Sequence, residues 1–229
     1  MKRIFVLSPA NCNGLRARWI LRKNSRSEMA QRLRTDGAPL GELFSFLSSL
    51  YFRGKLAYAR TFAEPPSNCP GILIITPTAG LMPHETIIRL SRLHSFSRGR
   101  IHIKNRHYCS SLRRSAKRLA TQMGPDCELV LLGSLATGKY LDLLKPIFGS
   151  RLRVPQEFIG RGDMSRGGLL LRCVKDNRQL NYIDAGMAGG FRPERRRANN
   201  DALPEFSCIT PSIKRPQLSG REVLSREQS

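Results

Sequence analysis

Residues 128–140 read ELVLLGSLATGKY, an apolar run that leads directly into a glycine-rich segment. An apolar run of this length is typical of a strand buried on both faces of a parallel sheet. A predicted helix and a short strand then lead to a second glycine-rich segment, GRGDMSRGG, over residues 160–168. Two such segments at strand ends predict an anion or nucleotide site at the rim of an α/β sheet.

Two further apolar runs, Arg3 to Leu7 and Ile72 to Ile75, predict buried strands that end at Ser8-Pro9 and Thr76-Pro77. Apolar residues at three- and four-residue steps predict amphipathic helices between these strands. Residues 27–33 predict a short helix with a serine cap near its start. A longer amphipathic helix starts near Leu40, and we expect Gly54 to interrupt its end. Alternating buried strands and amphipathic helices predict the α/β class, as a single three-layer domain with a mostly parallel sheet over residues 1–184.

Residues 185–229 differ in composition from the rest of the chain. Glycines, an Arg195-Arg196-Arg197 run and scattered prolines give no sustained periodicity, which predicts a basic, disordered tail. Eight Lys/Arg and five Asp/Glu from 186 to 229 leave this segment at +3, out of a formal net charge of +22. Most of the positive charge therefore belongs to the predicted domain.

A charge of +22 and an isoelectric point near 11.0 favour polyanionic partners. Nucleic acid is the first candidate and an anionic membrane surface the second, although an incidental arginine-rich surface would give the same composition. The predicted helix over residues 112–123 shows the pattern locally, because its apolar face is opposed by four cations: Arg113, Arg114, Lys117 and Arg118. This face is either a solvated surface or one that follows a phosphate backbone.

The cysteines are scattered and form no CxxC pair, so we expect reduced thiols, no metal site and no cofactor. The apolar run at residues 4–7 is too short for a signal peptide, and no run is long enough to span a bilayer. These features predict a cytoplasmic protein without a membrane span. The six cysteines are Cys12, Cys69, Cys109, Cys127, Cys173 and Cys208.

The first glycine-rich segment matches the G-x-x-x-x-G-K part of a phosphate-binding loop. Position 140 is Tyr, where a nucleoside triphosphatase has the Ser or Thr that binds magnesium. This difference argues against a nucleoside triphosphatase. Backbone N–H groups and a lysine in a strand-to-helix turn still predict an anion site. Its predicted ligands are Gly133, Ser134, Thr137, Gly138 and Lys139.

The second segment offers two arginines, Arg161 and Arg166, which we expect to face the first segment and to hold a phosphate or carboxylate. Asp163 is placed to cap a helix through residues 169–171. The pair Gly167-Gly168 inside that helix indicates either close packing or close approach of a ligand. Ser8 and Asn11, which follow the first strand, complete the predicted ligand-binding residues.

Two other clusters have more ordinary interpretations. His84 and Glu85 follow the strand at 72–75, and we interpret His84 as an exposed loop residue at the same sheet edge as the loop after residue 7. Residues 51–60 mix aromatic and basic side chains, as nucleic-acid binders do. Their helical spacing favours core packing, with the cations extending to solvent.

The strand into Ser8-Pro9-Ala10, the helix from Tyr51 to Phe62 and the T-x-x-x-G-L-x-P pattern from Thr76 to Pro83 resemble the YaaA-like proteins of bacterial peroxide stress and related phage domains. Gly133 at its strand end and the glycine-rich sequence after Val154-Pro155 resemble the second half of those domains. The resemblance covers about residues 3 to 172. It implies a single α/β domain and DNA binding, and it carries over no catalytic residue.

The leading functional hypothesis is a cytoplasmic protein that binds nucleic acid or a nucleotide, with phosphate held by the segments 133–140 and 160–168. An alternative is an enzyme acting on nucleotides or nucleosides, an N-glycosidase or transferase with Asp163 or Glu157 as its acid or base. A third possibility is an interaction module in which both glycine-rich segments are packing turns. Oligomeric state is not predicted by the sequence.

Overall fold

The computed structural model describes residues 1–135 and 138–188. It contains eight strands and eight α-helices in the described residues. In chain order they are β1 (Lys2–Leu7), α1 (Leu15–Leu21), α2 (Glu28–Arg34), β2 (Ala38–Pro39), α3 (Leu40–Phe62), β3 (Ile72–Thr76), β4 (Gly80–Pro83), β5 (Ile87–Ile88), α4 (Leu90–Arg98), α5 (Arg106–Gln122), β6 (Cys127–Leu132), α6 (Leu141–Phe148), β7 (Leu152–Pro155), α7 (Asp163–Lys175), β8 (Tyr182–Asp184) and α8 (Ala185–Ala188).

A six-stranded sheet of order β4-β3-β1-β6-β7-β8 forms the centre of the domain. β1 runs parallel to β3 and β6, and β6 runs parallel to β7, whereas the outer strands β4 and β8 are antiparallel to their neighbours. The predicted α/β class with a mostly parallel sheet is therefore confirmed. Strands β2 and β5 form a separate two-stranded pair.

Helices cover both faces of the sheet, as the predicted three-layer arrangement requires. Phe5 and Leu7 of β1 point to a core shared with α1, α2, α3, α4 and α7. Ile4 and Val6 point to the opposite core, shared with α5 and α6. The alternation follows from the two-residue period of a strand, and it explains why β1 and β6 are apolar on both faces.

The chain reverses its direction of travel across the sheet between β1 and β6. From β1 it passes outward to β3 and β4, and it then returns to the other side of β1 to build β6, β7 and β8. The connections that leave β1 and β6 lie on opposite faces, because α3 packs in one core and α6 in the other. Such a reversal leaves a crevice at the carboxyl ends of the two central strands, where open α/β sheets bind ligands.

Helices α3 and α7 cross at two glycines. A Cβ on Gly54 would lie 2.8 Å from the carbonyl oxygen of Gly167, and a Cβ on Gly167 would lie 3.0 Å from the Cα of Tyr51. The prediction that Gly54 interrupts the end of a helix is therefore wrong. Gly54 lies inside α3, which ends at Phe62. The alternative of close packing at Gly167 is the one that the structure supports.

The segment after β3 departs from the predicted loop. A tight turn at Gly80, with φ of +70°, reverses the chain into β4. His84 therefore lies at the amino end of β3, where its backbone N–H donates to the backbone carbonyl of Ile72. His84 is half-buried rather than exposed, and burial lowers the pKa of its imidazole. Its Nε2 lies 3.8 Å from the Oε1 of Glu85.

β8 ends at Asp184, the last residue of the predicted domain, but the fold continues beyond it, since Ala185 is buried in the core that contains α5 and α6. Helix α8 covers the next four residues, and the remainder of the predicted tail lies outside the described residues. None of the helices in the described part of the chain is long and apolar enough to cross a membrane.

Gly167→Ala should destabilise the domain by about 1–3 kcal/mol, because the new methyl group must push α3 away from α7. Gly168→Ala is the matched control in the same helix turn, since the nearest atom to its added Cβ is the flexible end of Arg172 at 3.5 Å. We expect the control to be neutral or to stabilise by up to about 1 kcal/mol. Urea unfolding measures both, and equal effects of the two substitutions would contradict the close crossing.

Candidate functional site

The crevice between β1 and β6 is formed by Ser8 and Gly133, the residues that follow the two strands. The Ser8 backbone N–H donates to the carbonyl of Leu132 at 3.0 Å, which extends the pairing of β1 and β6 by one residue. A Cβ at Gly133 would lie 3.0 Å from the Cβ and 3.4 Å from the Oγ of Ser8. The glycine therefore allows the end of β6 to pack closely against the side chain of Ser8, which is 6% exposed.

Lys55 of α3 reaches this crevice from the helical layer. Its Nζ lies 2.6 Å from the carbonyl oxygen and 2.8 Å from the Oγ of Ser8. The rings of Tyr51 and Phe52 lie 4.5 Å and 4.9 Å from the same nitrogen. Lys55 is 1% exposed, and no carboxylate of the described residues forms an ion pair with it.

Burial is the main reason that the pKa of Lys55 falls from 10.5 to about 7. Asp163 and Arg166 act on this pKa in opposite directions, the first raising it and the second lowering it. The same surroundings raise the pKa of Tyr51 to about 12, again mainly through burial. The crevice therefore holds an amine that changes its charge near neutral pH beside a phenol that stays protonated.

The second glycine-rich segment is a loop only as far as Gly162, because residues 163–168 form the first turns of α7. Gly162 occupies the N-cap position, and Asp163 makes no capping hydrogen bond. The predicted cap is thus wrong. Asp163 instead accepts a hydrogen bond from Arg166 at 3.3 Å, three residues further along the helix.

The two predicted arginines have different environments. Arg166 is buried, and its guanidinium donates to the carbonyl of Phe158 at 2.8 Å and 3.2 Å, besides its bond to Asp163. Arg161 is exposed and donates to the Ser165 hydroxyl at 3.3 Å. Arg166 therefore fixes the start of α7, and its donors are directed to the protein rather than to a ligand.

The first glycine-rich segment lies, as predicted, between a strand, β6, and a helix, α6. Gly138 has φ of +63°, and a Cβ there would collide with the carboxylate of Asp142 in the first turn of α6. The side chain of Lys139 lies over the Tyr140 ring at 5.1 Å. A carboxylate at the helix start opposes a bound anion, so the geometry offers little support for phosphate binding here. Thr137 lies outside the described residues.

The other predicted residues make local contacts. Asn11 is exposed, and its Oδ1 accepts the N–H of Asn13 at 2.9 Å. Glu157 accepts two hydrogen bonds from Asn181, at 3.1 Å and 3.2 Å, and so ties the end of β7 to β8. Asp163 and Glu157 are thus both engaged in structural contacts, which weakens the nucleotide-processing alternative. Ser134 is half-buried beside Gly133.

Lys55 was missed because it was expected to extend to solvent. The signal was present in its spacing, since Leu47, Tyr51, Tyr58 and Phe62 mark the buried stripe of α3 and position 55 falls on the same stripe. A lysine on the apolar face of a long helix is a better site candidate than one on its polar face.

A separate feature is the distribution of charge. Residues 1–27 contain seven Lys/Arg, residues 86–125 contain ten, and neither range contains an Asp or Glu. The two ranges meet where α1 packs against α4. The exposed cations here, which we name the α1–α4 basic surface, are Arg16, Arg18, Arg22, Lys23, Arg26, Arg89, Arg92 and Arg98.

Two large apolar side chains lie within this basic surface. Leu15 is 84% and Trp19 is 58% exposed, and they are one turn apart on α1. Trp19 is the one tryptophan in the chain. An exposed indole on a helix that also carries the exposed cations Arg16 and Arg18 is typical of a surface that stacks on unpaired bases.

The basic face predicted for α5 is also present. Leu112, Ala116 and Leu119 are buried, and the four predicted cations of that helix are exposed. This face lies on the side of the sheet opposite α1 and α4, and it carries no exposed Phe, Tyr or Trp side chain among residues 106–122.

No family model matches this chain, and neither the curated proteins nor the solved structures include a significant match to it. The resemblance to YaaA-like proteins stays a prediction.

Lys55→Met should change how stability depends on pH. Between pH 7 and 10.5 the unfolded wild-type chain holds a proton on Lys55 that the folded chain does not, so raising the pH stabilises the wild type. Relative to the variant, this gain is about 1.4 kcal/mol per pH unit within that window and levels off below it. Urea unfolding at pH 6.0, 8.0 and 9.5 measures the difference.

Lys117→Met on the exposed face of α5 is the matched control, and its stability difference from wild type should not vary over the same range. A constant difference between wild type and Lys55→Met at all three pH values would show that Lys55 is charged in the folded state.

Proposed function

We propose that this protein binds single-stranded nucleic acid, and that the α1–α4 basic surface with Trp19 at its centre is the binding site. The observation that carries the proposal is the exposed indole of Trp19 within a surface from which acidic residues are missing over two long stretches of chain. The cations neutralise phosphates and Trp19 stacks on a base.

The distribution of charge along the chain, rather than the total charge, supports the α1–α4 basic surface as the binding site. Residues 28–85 contain five Lys/Arg and five Asp/Glu, so that part of the chain is neutral. Seventeen Lys/Arg lie in the two acid-free ranges. Those of α1, of the loop that follows it and of α4 lie together where these helices pack, whereas those of α5 lie on the other side of the sheet. A concentrated patch attracts a polyanion far more strongly than the same charge spread over a surface with both signs.

Single strands are favoured over duplexes because of the tryptophan. In a duplex the bases are already stacked, so Trp19 would have to unstack a base pair before contacting a ring. An unpaired base needs no such step, and aromatic stacking tolerates any sequence. We therefore expect weak sequence preference and steep dependence on salt.

The fluorescence of Trp19 can be used to measure binding at this site. Adding a 20-nucleotide oligothymidylate should quench the tryptophan fluorescence, since stacking places the base on the emitting ring. Trp19→Ala should weaken binding by about 1–3 kcal/mol, roughly 5- to 150-fold, while Trp19→Phe should retain part of the affinity. The affinity of the variants is measured by fluorescence anisotropy of a labelled oligonucleotide at several salt concentrations.

The matched control compares two quadruple variants with equal loss of charge. Replacing Arg18, Arg22, Lys23 and Arg26 by Gln should lower the salt slope by up to about 3, because single strands give about 0.7 per neutralised phosphate. Replacing Arg113, Arg114, Lys117 and Arg118 of α5 by Gln should leave most of the affinity. Equal losses in the two variants would show that net charge alone, and not the α1–α4 basic surface, determines binding.

A further inference from the structure

We propose that Ser8 is a nucleophile and Lys55 its general base, in a site that hydrolyses carboxylic esters at the junction of β1 and β6. This activity is independent of nucleic-acid binding, because the pair lies in the crevice of the sheet and the α1–α4 basic surface lies on the helical layer outside it.

The geometry of the pair is that of a serine activated by a lysine. The 2.8 Å between Nζ and Oγ is within hydrogen-bonding reach for proton transfer. The second hydrogen bond, to the Ser8 carbonyl at 2.6 Å, holds the amine in place. In the neutral form, an N–H of Lys55 donates to the Ser8 carbonyl. The lone pair of Nζ then accepts the hydrogen bond from the Ser8 hydroxyl, as the base of a Ser–Lys pair must.

The surroundings of Lys55 keep it in the form that a base needs. The rings of Tyr51 and Phe52 lie within 4.9 Å of the amine and give it an apolar environment. Burial lowers its pKa to about 7, so a large share of the molecules holds a neutral amine at neutral pH. A lysine whose only task is to pin a helix to a carbonyl gains nothing from losing its charge.

The position of Ser8 suits attack on a bound substrate. It follows the central strand at the point where the chain reverses across the sheet, which is where ligands of open α/β sheets bind. Gly133 lies against the Ser8 side chain, and any larger residue there would press on the Ser8 Cβ. The glycine thus has a role at this edge that requires no bound phosphate.

The reaction proceeds in two steps. The Ser8 Oγ attacks the ester carbonyl carbon, its proton passes to Lys55, and the alcohol leaves with that proton to give an acyl-Ser8 ester. Water then attacks the acyl carbon, gives its proton to Lys55, and Ser8 recovers the proton as the carboxylic acid departs. No metal or redox partner is needed, and water is the only co-reactant.

A fluorophosphonate probe tests the nucleophile directly. Such a probe reacts with an activated serine by forming an oxygen–phosphorus bond and releasing fluoride, whereas ordinary serines do not react. Intact-mass and peptide mass spectrometry of the full-length protein should find one label, on Ser8. Ser8→Ala should abolish the label, and Ser110→Ala, at an exposed position of α5, should label at the wild-type rate.

The base is tested first without any substitution. The labelling rate of the wild-type protein should rise with pH through a single ionisation near pH 7 and then level off. Lys55→Met should lower the plateau rate by at least about 100-fold, the usual contribution of a general base. Circular dichroism and urea unfolding establish that the variant is folded.

Three results would overturn the proposal. They are absence of a label on folded wild-type protein, a label that persists in Ser8→Ala, and a labelling rate in folded Lys55→Met equal to that of wild type. If Lys55→Met does not fold, the wild-type pH profile decides alone, because a rate that rises in proportion to hydroxide without levelling off excludes a base that titrates near pH 7.

Discussion

The close crossing of α3 and α7 at Gly54 and Gly167 sets the positions of the residues around the crevice. Tyr51 and Lys55 belong to α3, and Asp163 and Arg166 belong to α7, so the separation of the two helix axes determines how near these groups lie. Two glycines inside helices cost about 1 kcal/mol each relative to alanine. The packing that they permit between the two helices offsets this cost, and it places the charges of α7 next to the buried amine of α3.

The two ends of the sheet differ in how their charges are paired. At the amino end, Glu128 of β6 accepts hydrogen bonds from Arg3 at 3.4 Å and Arg153 at 2.8 Å, so neighbouring strands are joined by ion pairs. Arg3 also lies over the ring of Tyr182 at 4.6 Å. At the carboxyl end, Lys55 has hydroxyl and carbonyl partners instead of a carboxylate. The ion-paired end stabilises the sheet, and the other end retains a group that is free to change its protonation.

Most of the fold could be predicted from the sequence because it depends on apolar periodicity. The strands at β1, β3 and β6, the serine cap of α2 at Ser27 and the basic face of α5 follow from local patterns of one to five residues. The hairpin at Gly80 could not, because its direction depends on contacts with α5 that are distant in sequence. The burial of Lys55 was missed for the same reason, since its partner Ser8 is 47 residues away in the sequence. The role of Asp163 is local, because its partner Arg166 is in the same helix, and it was missed because α7 begins at Asp163 itself.

The outer strands of the sheet have a consequence for how the protein behaves in a crowded solution. β4 and β8 are four and three residues long and antiparallel, and β4 ends at Pro83, which has no N–H to offer a neighbouring chain. A long parallel edge would expose a row of unpaired N–H and C=O groups on which a second molecule could add a strand. The two edge strands are short, and the proline at the end of β4 further limits such addition. The central strands, which are the most apolar and the most prone to aggregate, are thereby kept away from other copies of the chain.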